Sequence, residues 1–105
     1  MKEITVLELK QLMDKKADFQ LIDVRETLEY GICNINAESI PLDEVIPNLH
    51  RIHKTKQVII HCKGGNRSSQ LVKYLEKNYG YTNLYSLKGG ITAWAQEVDA
   101  DMVIY

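Results

Sequence analysis

The chain is expected to fold as an α/β domain with a mostly parallel central sheet and helices on both faces. Three observations carry that expectation. Apolar stretches of strand length at about 19–24, 36–40, 57–61 and 83–87 alternate with helix-patterned segments, the arrangement that builds parallel sheets. Val58, Ile59 and Ile60 form a β-branched run without polar alternation, as in a strand covered on both sides. A glycine-bearing turn, HCKGGNRS at 61–68, then runs directly into helical spacing.

Taken in order, Ile4 is expected to end a short strand. Thr5 and Glu8 have the spacing of a capping box, and Leu9, Leu12 and Met13 follow on one helical face. FQLIDV (19–24) is a buried strand that leaves through Asp23, Arg25, Glu26, Glu29 and Tyr30. Ile35 and Ile40 are expected to flank a short strand that Pro41 closes. Leu42, Val45, Ile46, Leu49 and Ile52 have helical spacing, but Pro47 falls among them. Two short helical turns, the second opening with Pro47, fit better than one helix. A helix over 68–79 presents Leu71, Val72, Leu75 and Tyr79 on one face, with Gly80 suited to a left-handed cap. After the strand TNLYSL, Gly89 and Gly90 turn into a last helix whose Ile91, Trp94, Ala95 and Val98 share a face. Trp94 is read as packing, and Lys88 with the two glycines as a second wall beside the 61–68 turn.

Size and composition narrow the function. The 105 residues, 45% hydrophobic and 26% charged with a net charge of −1, suit one domain spanning 1–105 with its own core. There is no basic excess to suit nucleic acid, and the opening MKEITVLELKQLMD is too polar for a signal peptide or a membrane span. The two cysteines, Cys33 and Cys62, are too few for a disulfide framework, and no Cys/His cluster has zinc-ligand spacing. The expectation is a cytoplasmic protein with reduced thiols, requiring neither metal nor organic cofactor.

The chemistry is expected at Cys62. A strand that turns tightly into a helix aims successive N–H groups at one point, where the helix dipole also favours negative charge. Gly64 and Gly65 are expected to supply the unusual dihedrals of such a cradle, with Lys63 and Arg67 as nearby cations and Asn66 and Ser68 completing it. Cys62 is therefore expected to be a thiolate nucleophile at neutral pH. The plainer reading is a small buried cysteine beside an ordinary turn. Cys33 has apolar neighbours, Ile32 and Ile35, no glycines and no basic residue nearby in sequence, and is read as a buried structural cysteine. His61 is expected to point away from Cys62 along the pleat, as structure rather than a general base. His50 and His53 are read as surface residues.

Four residues separate Cys62 from Arg67. Cysteine phosphatases carry five in a similar loop, and the shorter loop suits one added sulfur better than a tetrahedral phosphate. Here the chain resembles the rhodanese-like sulfurtransferases, and the LIDVRE and EY of 21–30, the LxGG of 87–90 and the AW of 93–94 extend the resemblance from Leu21 to Tyr105. It departs from the commonest family form at 31–38, where Cys33 stands in place of the usual Gly-His-Ile-x-Gly-Ala stretch. That segment, with the ending at 99–105, is similar to the rhodanese domains fused to adenylating enzymes of sulfur-carrier pathways.

The resemblance implies a three-layer rhodanese-like fold and a persulfide carried on Cys62. It further implies support of the loop and neighbouring backbone by Asp23 and Arg25. Donors would be thiosulfate, a polysulfide or a protein persulfide, and acceptors a thiol, cyanide or a sulfur carrier. A ubiquitin-like sulfur carrier or an adenylating enzyme would be met transiently. Two other classes stay open: a catalytically idle binding module on the same fold, and a small cysteine phosphatase or arsenate reductase.

Overall fold

The computed structural model describes residues 1–104. Among the described residues the element order is β1 (Lys2–Ile4), α1 (Val6–Asp14), β2 (Gln20–Asp23), α2 (Thr27–Ile32), β3 (Glu38–Ser39), two 3₁₀ segments (Leu42–Glu44 and Ile46–Arg51), β4 (Val58–His61), α3 (Asn66–Tyr79), β5 (Leu84–Leu87) and α4 (Gly90–Glu97). The five strands form one sheet in the order β1-β5-β4-β2-β3, and every neighbouring pair is parallel. This is the expected α/β class, with β4 at the centre.

The pleat of β4 sorts the core into two halves. Val58 and Ile60 face one side with Ile22, Val45, Ile52, Val72, Leu75 and Leu84, under α3 and the 3₁₀ segments. Ile59 faces the other with Val6, Leu9, Leu87, Ile91 and Trp94, under α1 and α4. Trp94 is packing, as its spacing suggests. Cys62 continues the first side and is 1% exposed.

Local signals place most elements. Thr5 caps α1: its hydroxyl accepts from the Glu8 N–H and its own N–H donates to the Glu8 carboxylate. Gly80 ends α3 at φ 72°, the left-handed cap its sequence position suggests. Differences lie in the short elements. Helix α3 opens at Asn66 rather than Ser68, and Tyr79 is 38% exposed instead of sharing the buried face of Leu71, Val72 and Leu75. Helix α2 was not expected; Gly31 inside a six-residue helix leaves little periodicity to read. Leu42 and Ile46 are exposed while Val45 and Ile52 are buried, because the 3₁₀ turns do not keep the α-helical register over that span. Tyr105, the last residue of the ending compared above, lies outside the described residues.

Candidate active site: the Cys62 loop

Strand β4 delivers Cys62 to the carboxyl edge of the sheet, where parallel α/β folds open their clefts. The chain then closes onto α3 in four residues. Gly65 sits at φ 106°, a conformation an L side chain adopts only under strain, and this turn folds the loop back over the cysteine. Its N–H donates to Cys62 Sγ at 3.1 Å, and the Ser68 N–H, in the first turn of α3, donates at 3.4 Å. The Ser68 hydroxyl lies 3.5 Å from the sulfur, 3.2 Å from the Gly65 carbonyl and 2.8 Å from Ser86 Oγ. One buried sulfur atom thus accepts from two amide donors at a helix start, with the Ser68 hydroxyl beside it.

A second helix fixes the other side of the loop. At the start of α4, Ile91 N–H donates to the Cys62 carbonyl and Thr92 N–H to the Lys63 carbonyl, each at 3.0 Å. Gly90 makes this approach attainable. It sits at φ 58°, and a Cβ there would lie 2.5 Å from both carbonyl oxygens. The glycines read as a cleft wall are therefore a clamp on the loop backbone. Gly64 departs from expectation: its φ is not positive, and a Cβ on it would meet nothing within 4 Å, so Gly65 alone supplies the unusual dihedral of the pair.

The charged residues are arranged less simply. Lys63 and Asn66 are exposed. Arg67, half-buried, donates through Nη1 and Nη2 to the two carboxylate oxygens of Glu29, at 2.9 and 3.1 Å. Glu29 also accepts the Glu26 N–H at 3.0 Å. The Arg67 hydrogen bonds pull the Glu29 carboxyl down to about 2, against the opposing effect of its burial. The same bonds raise Arg67 above the ordinary arginine range.

Asp23 and Arg25 form a buried fork, with Arg25 Nη2 2.8 Å and Nε 3.1 Å from Asp23 Oδ2. Arg25 Nη2 also donates to the Cys33 carbonyl at 2.7 Å, so the pair braces the α2–β3 connection. It meets the Cys62 loop through His61. That ring is fully buried, with Nδ1 3.3 Å from the Cys62 carbonyl. Its Nε2 has no hydrogen-bond partner and stands 3.5 Å from Asp23 Oδ2. Burial lowers the His61 pKa, outweighing the Asp23 charge, so the imidazole is neutral. Cys33 needs a correction. It is partly exposed rather than buried, and folding brings a cation to it, with Arg25 Nη1 3.8 Å from Sγ. It packs with the α1/α4 side of the core, across the sheet from Cys62.

Beside the loop, at the carboxyl ends of β2 and β3, opens a cleft of about 600 Å³ lined by Val24, Glu26, Thr27, Pro41, Leu42, Asp43, Glu44 and Arg67. Sequence reading gave no role to Glu29 or Ser86. Glu29 meets Arg67 across 38 positions and Ser86 meets Ser68 across 18, pairings that no local pattern announces. Among the described residues no cluster of metal-ligating side chains occurs, and no helix is long and apolar enough to cross a membrane.

Comparison with known proteins identifies the family and the fold. Residues 5–97 match the rhodanese-like domain. The chain is 33% identical, over 97% of its length, to a probable adenylyltransferase/sulfurtransferase MoeZ of Mycobacterium tuberculosis, and covers 26% of that protein. It is 35% identical to an adenylyltransferase and sulfurtransferase MOCS3 of Drosophila willistoni, over 81% of the chain and 21% of the relative. It thus spans about a quarter of these relatives. A rhodanese-like domain protein of Staphylococcus aureus superposes with a TM-score of 0.83 at 36% identity, covering 100% of this chain and 99% of that one. With the family match across nearly the whole chain and the same fold in a solved relative, the chain belongs to the rhodanese-like family.

Proposed function

We propose that the protein is a sulfurtransferase that carries a persulfide on Cys62. The observation that supports this most is the sulfur itself, held between the Gly65 and Ser68 N–H groups at the start of α3. In the first half-reaction the Cys62 thiolate attacks the outer sulfur of a donor: thiosulfate, a polysulfide or a protein persulfide. A new S–S bond forms on Cys62, and the donor S–S bond breaks with its electron pair leaving on sulfite or on a thiolate. In the second, a thiol, cyanide or sulfur-carrier acceptor attacks the terminal sulfur and restores the Cys62 thiolate. The two amide donors stabilise the anion at both stages without moving, the economy of a preorganised site. Lys63, exposed on the loop, adds positive potential at its mouth, and no metal or organic cofactor takes part. Four residues between Cys62 and Arg67, together with the family match, weigh against the phosphatase and arsenate reductase readings.

The acceptor is read from the relatives. Proteins named adenylyltransferase and sulfurtransferase suggest a ubiquitin-like sulfur carrier, or the enzyme that adenylates it, as a transient partner. Two free cysteines suit a cytoplasmic setting, where thiols stay reduced. The test is thiocyanate release from polysulfide or thiosulfate with cyanide as acceptor. Wild type is expected to turn over and Cys62→Ser to be inactive while folded. Wild-type turnover by Cys62→Ser would overturn the mechanism, and a folded wild type inert with every donor would return the idle binding module.

A further inference from the structure

The cleft beside the loop carries four ionisable side chains, Glu26, Asp43, Glu44 and Arg67. Arg67 is the one cation in that lining, and it is already engaged. Both terminal nitrogens donate to Glu29, at 2.9 and 3.1 Å, and Glu29 is itself only 9% exposed and tethered to the Glu26 N–H. The carboxylate stays ionised at every working pH, because Arg67 holds its pKa near 2. A guanidinium fork occupied by a carboxylate presents to it the same paired N–H edge that would grip two oxygens of a sulfonate or phosphate. The other charges of the wall, on Glu26, Asp43 and Glu44, repel an anion. Lys63 lies outside this lining.

We infer that Glu29 is a specificity-determining residue: by withholding Arg67 from the donor, it turns the cleft toward persulfides that lack an oxyanion group and away from thiosulfate. This rests on Cys62 carrying the sulfur and narrows the donors to one class, R–S–SH. In that step Cys62 Sγ attacks the outer sulfur, the Cys62–sulfur bond forms as the R–S bond to that sulfur breaks, and the departing R–S⁻ takes up the proton the persulfide carried. The exchange is redox-neutral and needs no further reactant.

Glu29→Gln is the informative variant, because its amide oxygen still accepts the Glu26 N–H while the charge that holds Arg67 is gone. The readout is the ratio of kcat/KM for thiosulfate to that for 2-mercaptoethanol persulfide, with cyanide as common acceptor. The ratio is expected to be below one in wild type. In Glu29→Gln it should rise about tenfold, mainly through a lower KM for thiosulfate, the scale of one charge-assisted hydrogen bond released to the donor. Glu29→Asp, which keeps the charge but shortens its reach, is expected to fall between. A ratio that stays constant or drops in Glu29→Gln would overturn the inference, since Glu29 would then merely orient Arg67. That outcome leaves persulfide formation on Cys62 standing. Failure of wild type to take sulfur from either donor would instead remove the proposed function and this inference with it.

Discussion

The two cysteines sit in different electrostatic settings. Cys62 Sγ accepts from two amide donors, whereas the guanidinium beside Cys33 is shared with the Asp23 carboxylate and the Cys33 carbonyl. Cys33→Ala is therefore expected to transfer sulfur at close to the wild-type rate. A large loss with unchanged stability would make Cys33 a working thiol. The Glu29–Arg67 pair carries a pH signature. Its carboxyl falls from 4.5 to about 2 on folding, so the pair stabilises fully above pH 4.5 and its contribution disappears as pH falls from about 4.5 to 2. Arg67 is 35% exposed, which solvent screening discounts, leaving on the order of 2 kcal/mol at neutral pH. Denaturant midpoints of wild type and Glu29→Gln should therefore differ at pH 6 and converge toward pH 2. A constant gap would refute the assignment. The setting of Cys62 was legible because it is local, a strand end, two glycines and a helix start within seven residues. Glu29 was not, since a carboxylate in a polar exit segment gives no sign of the arginine it will meet.

The loop is the element on which the account turns, and it is held at both ends. Gly65 and the first turn of α3 supply donors to the sulfur, and the first turn of α4 binds the Cys62 and Lys63 carbonyls. Gly90→Ala puts a methyl 2.5 Å from those carbonyl oxygens at a φ of 58°, so α4 and the loop must part. A cost of about 1–3 kcal/mol in stability is expected from the strained backbone alone, with loss of sulfur transfer beyond it. Gly64→Ala, with open space around its Cβ and no positive φ, should by contrast leave stability unchanged or slightly raised. Equal destabilisation by the two substitutions, read by chemical denaturation, would show that the clamp is misplaced. Strong local signals found their elements: the α1 capping box, the Gly80 cap and the Pro47 break. The weak ones are the two-residue β3 and the six-residue α2, which exist because the sheet edge and the Tyr30 hydroxyl bond to the Ala37 carbonyl hold them, not because of their own propensity.

At the scale of the molecule, the parallel order β1-β5-β4-β2-β3 puts the carboxyl ends of all five strands on one edge, and the loop after the central strand opens there. Alternating strand and helix patterns made the α/β class legible, since a run such as Val58–Ile60 needs cover on both faces. The strand order was not, because neighbours in a crossover sheet are set by packing rather than by sequence proximity. Burial decides how the site is used. Cys62 is 1% exposed, so in the proposed reaction the donor has to reach a buried sulfur. The most direct test is the intact mass of the protein after a polysulfide, and again after cyanide. Wild type and Cys33→Ala are expected to gain one sulfur atom and lose it to cyanide, while Cys62→Ser gains none. A cyanide-labile sulfur on Cys62→Ser, or none on a folded wild type, would contradict the account.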